Sequence, residues 1–153
     1  MVIILKFVEN LQKGKNNMCN NSLIYLATPT ASTVPANGVL PLTTIVRRRG
    51  SSVEQSNDSI VLGASGYYKV SLIATFTAPT AGIVTLQLRQ DGVAVQGATA
   101  STTITTATTE VRSLSIDAIV RVSCCAGPVT LTILNSGVAI NTSNIAINVE
   151  YLD

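Results

Sequence analysis

From Ser22 onward, apolar and polar residues alternate with a period of two, and the alternation restarts after each cluster of Gly, Pro, Asn or Ser. Tyr68, Val70, Leu72, Ala74 and Phe76 share one face of a strand whose other face carries Lys69, Ser71 and Thr75. Ala78-Pro79-Thr80-Ala81-Gly82 ends that run as a turn. Val84, Leu86 and Leu88 then alternate with Thr85, Gln87 and Arg89, and Asp91-Gly92 marks a tight hairpin whose return strand begins at Val93-Ala94-Val95. Three further apolar faces follow: Leu114 to Val122, Val129 to Ile133, and Ile145, Ile147, Val149 and Tyr151. Upstream, Leu23 to Ala27 and Val39 to Val46 read as strands on either side of a Pro- and Thr-rich loop, and Ile60-Val61-Leu62 as a short one. Residues 99–109, TASTTITTATT, are β-branched and of low complexity, and suit either an exposed strand or a long loop over a neighbour. No segment carries a helical stripe, so the pattern predicts an all-β domain of about eight to ten antiparallel strands, a β-sandwich or jelly roll.

Two strands depart from simple alternation. Ile73 stands beside Leu72 and Ile119 beside Val120, so both faces of these strands are apolar and the second face needs a cover. Composition strengthens this point, because hydrophobic residues make up 46% of the chain and charged residues only 12%, against about 25% in an ordinary globular protein. A single domain of 153 residues with so few charges is expected to cover apolar surface with copies of itself.

Charge and reactive groups exclude more than they assign. The net charge of +2 resides in residues 1–17, where Lys6, Lys13 and Lys15 outweigh Glu9, and the remainder is neutral. A neutral body lacks the basic stripe that a nucleic-acid face requires. Arg47-Arg48-Arg49 is the one basic cluster, read as a solvated loop between strands or as a weak contact for a polyanion or partner. The absence of histidine removes His-based triads, Cys-His pairs and zincin sites together. Eight scattered carboxylates specify no glycosidase pair, and Gly63-Ala64-Ser65-Gly66 lacks the G-x-S-x-G spacing of a nucleophile elbow. A non-enzymatic protein without cofactor or metal is therefore expected.

Cys19, Cys124 and Cys125 make an odd count and no disulfide framework, and Cys124 and Cys125 are expected on a strand with one thiol inward and one outward. Asn20-Asn21-Ser22, Asn57-Asp58-Ser59 and Asn141-Thr142-Ser143 match the glycosylation acceptor pattern and read as turns.

Residues 1–21 read as an N-terminal extension or a mis-assigned start ahead of a domain at 22–153. Met1 to Val8, MVIILKFV, has no basic region before it and no small-residue cleavage site after it, and falls short of the roughly 20 apolar residues that span a bilayer. Two readings stand side by side. The segment is an extension that docks on a neighbouring subunit or assembly, or the biological start is Met18, since purine-rich codons for Lys13 to Asn17 would resemble a ribosome-binding site.

Gly66-Tyr67-Tyr68-Lys69-Val70-Ser71 resembles the G-x-Y-x-V signature of the tumour-necrosis-factor-like and complement-globular-head-like superfamily. The strand through Phe76, the segment GIVTLQLRQDGVAVQGA and a C-terminal strand ending in Tyr151-Leu152 continue the resemblance over roughly residues 38–152, and it is nearest the bacterial and phage branch. The Cys-Cys pair and the Thr-rich segment depart from it. The resemblance implies a ten-strand jelly roll closing into a homotrimer, with Tyr67, Tyr68, Phe76 and Tyr151 as candidates for the three-fold interface; the competing reading places some of them in the monomer core.

The expected function is that of a trimeric structural knob on a phage virion: a capsid decoration, head fibre or fibre tip, with a capsid or fibre protein as partner. The short chain and the lack of a recognisable secretion signal favour this expectation. A spore- or cell-surface head is the first alternative, and the chain contains no collagen-like Gly-x-y repeat of the kind that usually carries one. A module binding carbohydrate, such as surface glycans, or a receptor is the second. Neither nucleic acid nor membrane is expected as a partner.

Overall fold

The computed structural model describes residues 21–152; Met1–Val8, Cys19 and the alternative start at Met18 lie outside the described residues. Among the described residues are twelve strands and no helix. They are β1 (Leu23–Thr28), β2 (Ser32–Val34), β3 (Gly38–Val39), β4 (Thr44–Arg49), β5 (Val53–Ser56), β6 (Ser59–Leu62), β7 (Gly66–Thr77), β8 (Gly82–Gln90), β9 (Val93–Ile104), β10 (Arg112–Val122), β11 (Val129–Asn135) and β12 (Ile140–Tyr151). One sheet runs β10-β7-β12-β1-β4 with β2 added to β12, and the other runs β5-β6-β11-β8-β9 with β3 added to β11. Every pairing is antiparallel, and the two sheets face each other as a jelly-roll sandwich.

The period-two pattern explains which side of each strand is buried. Along β7, Tyr68, Val70, Leu72, Ala74 and Phe76 point between the sheets, and along β12 so do Ile145, Ile147 and Val149. Val84, Leu86, Leu88, Leu131 and Ile133 answer them from the opposite sheet. The core contains few polar groups, and each has a partner. Asn135 donates through Nδ2 to the Val138 carbonyl at 2.9 Å, and Thr28 donates through its hydroxyl to the Pro41 carbonyl at 2.7 Å. These bonds remove the cost of about 1–3 kcal/mol that an unsatisfied buried polar group carries.

The strand count exceeds eight to ten because the Pro- and Thr-rich stretch contributes the short β2, which extends β12, Val53–Ser56 forms the additional β5, and the strand expected over Val39 to Val46 divides into β3, which extends β11, and β4. Val39 to Val46, expected as one strand, breaks at Pro41, which has no N–H for a ladder. Leu40 and Leu42 on either side still bury their side chains, with the Leu40 N–H donating to Ile133. Asn141-Thr142-Ser143, expected as a turn, lies within β12. A register shift there leaves Ser143 and Asn144 exposed, and this bulge keeps Thr142 and Ile145 both facing inward.

The Asp91-Gly92 hairpin forms as the pattern predicts, with φ of 51° and 81°. Two consecutive left-handed residues are what a tight turn with the native strand twist requires. Gly137 is fixed by space instead, since a Cβ there would collide with the Ile83 carbonyl.

Candidate functional site

The sheet β10-β7-β12-β1-β4 has an outer face unlike that of a solvated sheet. In register across it run Arg47, Tyr25, Asn148, Ser71 and Asp117, one residue from each strand. The next row in one direction is Thr44, Ala27, Ala146, Ile73 and Ser115, and in the other Arg49, Leu23, Glu150, Lys69 and Ile119. Tyr25 is 36% exposed, Ile73 46%, Tyr67 48% and Ile119 62%, so four large apolar side chains face outward from one sheet. The doubly apolar strands thus take the predicted arrangement, with Leu72 and Val120 buried inside and Ile73 and Ile119 presented outside.

At the centre of this face lies a shallow hollow of about 310 Å³, lined by Tyr25, Ser71, Leu72, Ile73, Asp117, Ala146 and Asn148. Small side chains make it, since Ala146 and Ser71 leave space between Tyr25 and Ile73. Ser71 donates to Asp117 Oδ1 at 2.7 Å, which orients the carboxylate at one side of the hollow. Arg121 lies over the Tyr67 ring at 5.9 Å from its centroid, at the end of the sheet. Such a surface suits a protein contact better than catalysis. Among the described residues, no group of three or more Cys, Asp or Glu side chains is placed to hold a metal.

The aromatic residues singled out in the sequence separate into two groups. Tyr68 and Phe76 are wholly buried between the sheets, so they belong to the monomer core and offer no surface to another copy. Their even-numbered positions on β7 face inward, and the alternation already contained that information. Tyr68 donates to the Ala64 carbonyl at 2.6 Å, and burial pushes its phenol above the usual range. Tyr151 is half-buried at the end of β12, edge-on to Tyr68 with ring centroids 5.1 Å apart, and donates to the Ser65 carbonyl at 3.1 Å. Of these four, Tyr67 alone presents its ring on the outer face.

Arg47, Arg48 and Arg49 are not in a loop, as expected, but in β4, at the edge of the sheet. Arg47 and Arg49 share registers with the outer-face residues Tyr25 and Leu23, whereas Arg48 pairs with Glu54 of β5 at 3.2 Å. Charged side chains on an edge strand discourage further strands from adding to it, so the triplet has a structural use without any polyanion. The sequence reading missed Tyr25 as a surface residue; its place opposite buried Ile24 and Leu26 was the available signal.

A second polar feature lies at the far end of the molecule. Glu110 Oε2 accepts from the Thr105 and Thr106 N–H groups at 2.7 and 2.8 Å, while Oε1 accepts from Arg112 Nε at 2.7 Å. Led by the Thr106 N–H, these donors hold its carboxyl at about 2. The Thr-rich stretch is therefore strand β9 as far as Ile104 and then a loop anchored by one carboxylate.

No protein-family profile and no curated protein sequence matches the chain. Solved structures do. The PRD1 vertex protein P5 superposes with a TM-score of 0.56 at 16% identity, covering 86% of this chain and 97% of its own. The globular domain of zebrafish complement 1qA gives 0.60 at 10% identity, covering 86% and 96%, and Eiger TNF from S. frugiperda gives 0.60 at 9%, covering 88% and 92%. The fold is thus the jelly roll shared with the tumour-necrosis-factor and complement 1q structures, as Gly66–Ser71 suggested, and the PRD1 vertex protein has the same fold.

Proposed function

We propose that this protein is a non-enzymatic structural protein that assembles as a homotrimer and forms a surface knob of a phage virion. The observation that carries this reading is the outward-facing apolar surface of Tyr25, Ile73, Tyr67 and Ile119 in a fold shared with a phage vertex protein. A monomer would leave that surface in water, whereas a ring of three copies, each presenting this face to the next, removes it. Tyr67 and Tyr25 are suited to such a contact, because an interface buries the ring while leaving the hydroxyl a partner. Tyr151 sits at the rim of the same end of the sheet and contributes through Tyr68 and the Ser65 carbonyl rather than through a free ring face.

Receptor binding is the second reading, supported by the fold shared with the cytokine-like Eiger protein. Exposed aromatic rings that would stack on sugars are few outside the apolar face. The test is to raise antibody against the folded protein and label intact phage particles from the source culture. Labelling of particle surfaces is expected; its absence, with the protein confined to the soluble fraction, overturns the virion assignment. A glycan array on the purified protein tests the second reading, with a reproducible sugar signal favouring it.

A further inference from the structure

The loop between β10 and β11 holds a feature that the assembly reading does not use. Cys124 and Cys125, expected on a strand with one thiol buried, are both exposed in a turn. The Ala126 N–H donates to the Ser123 carbonyl at 3.3 Å, making the two cysteines the central residues of a four-residue turn. Cys125 has φ 68°, the left-handed conformation that such a turn ordinarily gives to Gly or Asn. On a strand, adjacent side chains diverge; the left-handed residue breaks that alternation and brings the two sulfurs to 3.2 Å on one side of the loop.

That separation favours one chemistry over another. A direct disulfide needs sulfurs about 2 Å apart on Cα atoms usually 4.4–6.8 Å apart, whereas Cα atoms joined by one trans peptide are held at about 3.8 Å, so closure between neighbours is strained. A single bridging atom does not meet this obstacle. Two sulfurs about 2.3 Å from one centre and 3.2 Å apart subtend roughly a right angle at it, narrower than the tetrahedral angle that zinc prefers. A right angle is the preference of a pyramidal three-coordinate centre.

We propose that Cys124 and Cys125 form a chelating dithiol site for a soft, pyramidal thiophilic centre, with monosubstituted trivalent arsenicals as the ligand class. The reaction is a condensation without change of oxidation state. Both S–H bonds and both As–OH bonds of an organoarsonous acid break, two As–S bonds form, and the two hydroxyls leave with the thiol protons as two water molecules. The site lies in a loop at the end of the sandwich, so it stands whether or not the apolar face is a subunit contact.

The probe is phenylarsonous acid, with the full-length protein, its reduced thiols and intact-mass spectrometry as readout. One adduct per chain is expected, retained against excess monothiol and removed by a dithiol such as dithiothreitol. Cys124→Ser and Cys125→Ser should each weaken retention by about a hundredfold or more, because each removes the intramolecular second bond. Cys19→Ser should retain the adduct, and circular dichroism should confirm that all three variants fold. An adduct that survives either single loop substitution, or one that monothiol strips from the parent protein, overturns the proposal.

Discussion

The outer faces of the two sheets are built on the same alternation and yet are dressed differently. On the β5-β6-β11-β8-β9 sheet the outward positions are mostly hydroxyls and amides, Thr85, Gln87, Thr99, Ser101, Thr103, Thr130 and Thr132, with exposed apolar side chains at the strand ends, Ile83 and Val93. The polar side chains satisfy one another: Thr85 meets Ser101 across strands at 2.9 Å, and Arg89 donates to Gln87 along the same strand at 3.0 Å. The opposite sheet instead presents Tyr25, Ile73, Tyr67 and Ile119 around a hollow. A β-branched hydroxyl keeps strand propensity while remaining compatible with water, so a sheet needs no apolar residue on a face meant for solvent. The contrast teaches that Ile73 and Ile119 are not there to make strands. They mark the face that the proposed trimer would bury.

The largest expected effect separates the core from both outer faces. Phe76→Ala opens a cavity between the sheets and should lower the unfolding free energy by about 3–5 kcal/mol, measured by denaturant unfolding. Under the interface reading of Phe76 the loss would instead appear as dissociation with the monomer intact.

Ile73→Asp then tests the apolar face alone. A buried carboxylate at each of three equivalent contacts adds desolvation and repulsion of several kcal/mol per trimer, at an order of magnitude. Light scattering should find folded monomers at neutral pH. Because that carboxylate is penalised in its charged form, assembly should recover in part near pH 4. Tyr151→Asp sharpens the boundary of the face: removing the ring from Tyr68 should lower the melting temperature, through a contact worth about 0.5–1.5 kcal/mol beyond burial, even where the trimer persists. An unchanged melting temperature would contradict the packing seen at this end.

A smaller, pH-dependent effect belongs to the loop that links the two sheets. The Glu110 carboxyl is held at about 2, below its usual 4.5, so its contribution is complete above 4.5 and is lost as pH falls from there toward 2. Glu110→Gln should flatten the acid limb of the stability curve over that window, and hydrogen exchange at Thr105 and Thr106 should quicken. The smallest effect is expected on the hydroxyl-rich face, where Thr132→Asp should change stability by no more than about 0.5 kcal/mol and leave assembly intact.

Much of this was legible in the sequence, because a period of two assigns each strand residue to one side. The inward rows of β7, β8, β10, β11 and β12, the Asp91-Gly92 turn and the second apolar face at Ile73 and Ile119 all follow from it. The family resemblance makes Tyr68 and Phe76 candidates for a subunit contact, whereas the alternation favours the competing reading, the monomer core, where both lie. What the pattern could not contain were effects of chain geometry and distant partners. Pro41 breaks a strand that is apolar on both sides of it, Glu110 reaches back to anchor a low-complexity segment, and Cys125 takes a left-handed turn conformation that no periodicity announces. Arg47–Arg49, read as a solvated loop or a weak partner contact, sit in a strand because β4 is an edge.

The central claim is that the Tyr25–Ile73–Ile119 face is covered by copies of the same chain. Multi-angle light scattering of the purified protein across micromolar concentrations tests it most directly. The account predicts about three times the chain mass of 16.0 kDa, unchanged on dilution and unchanged in Thr132→Asp. A mass near that of one chain at micromolar concentration would contradict it.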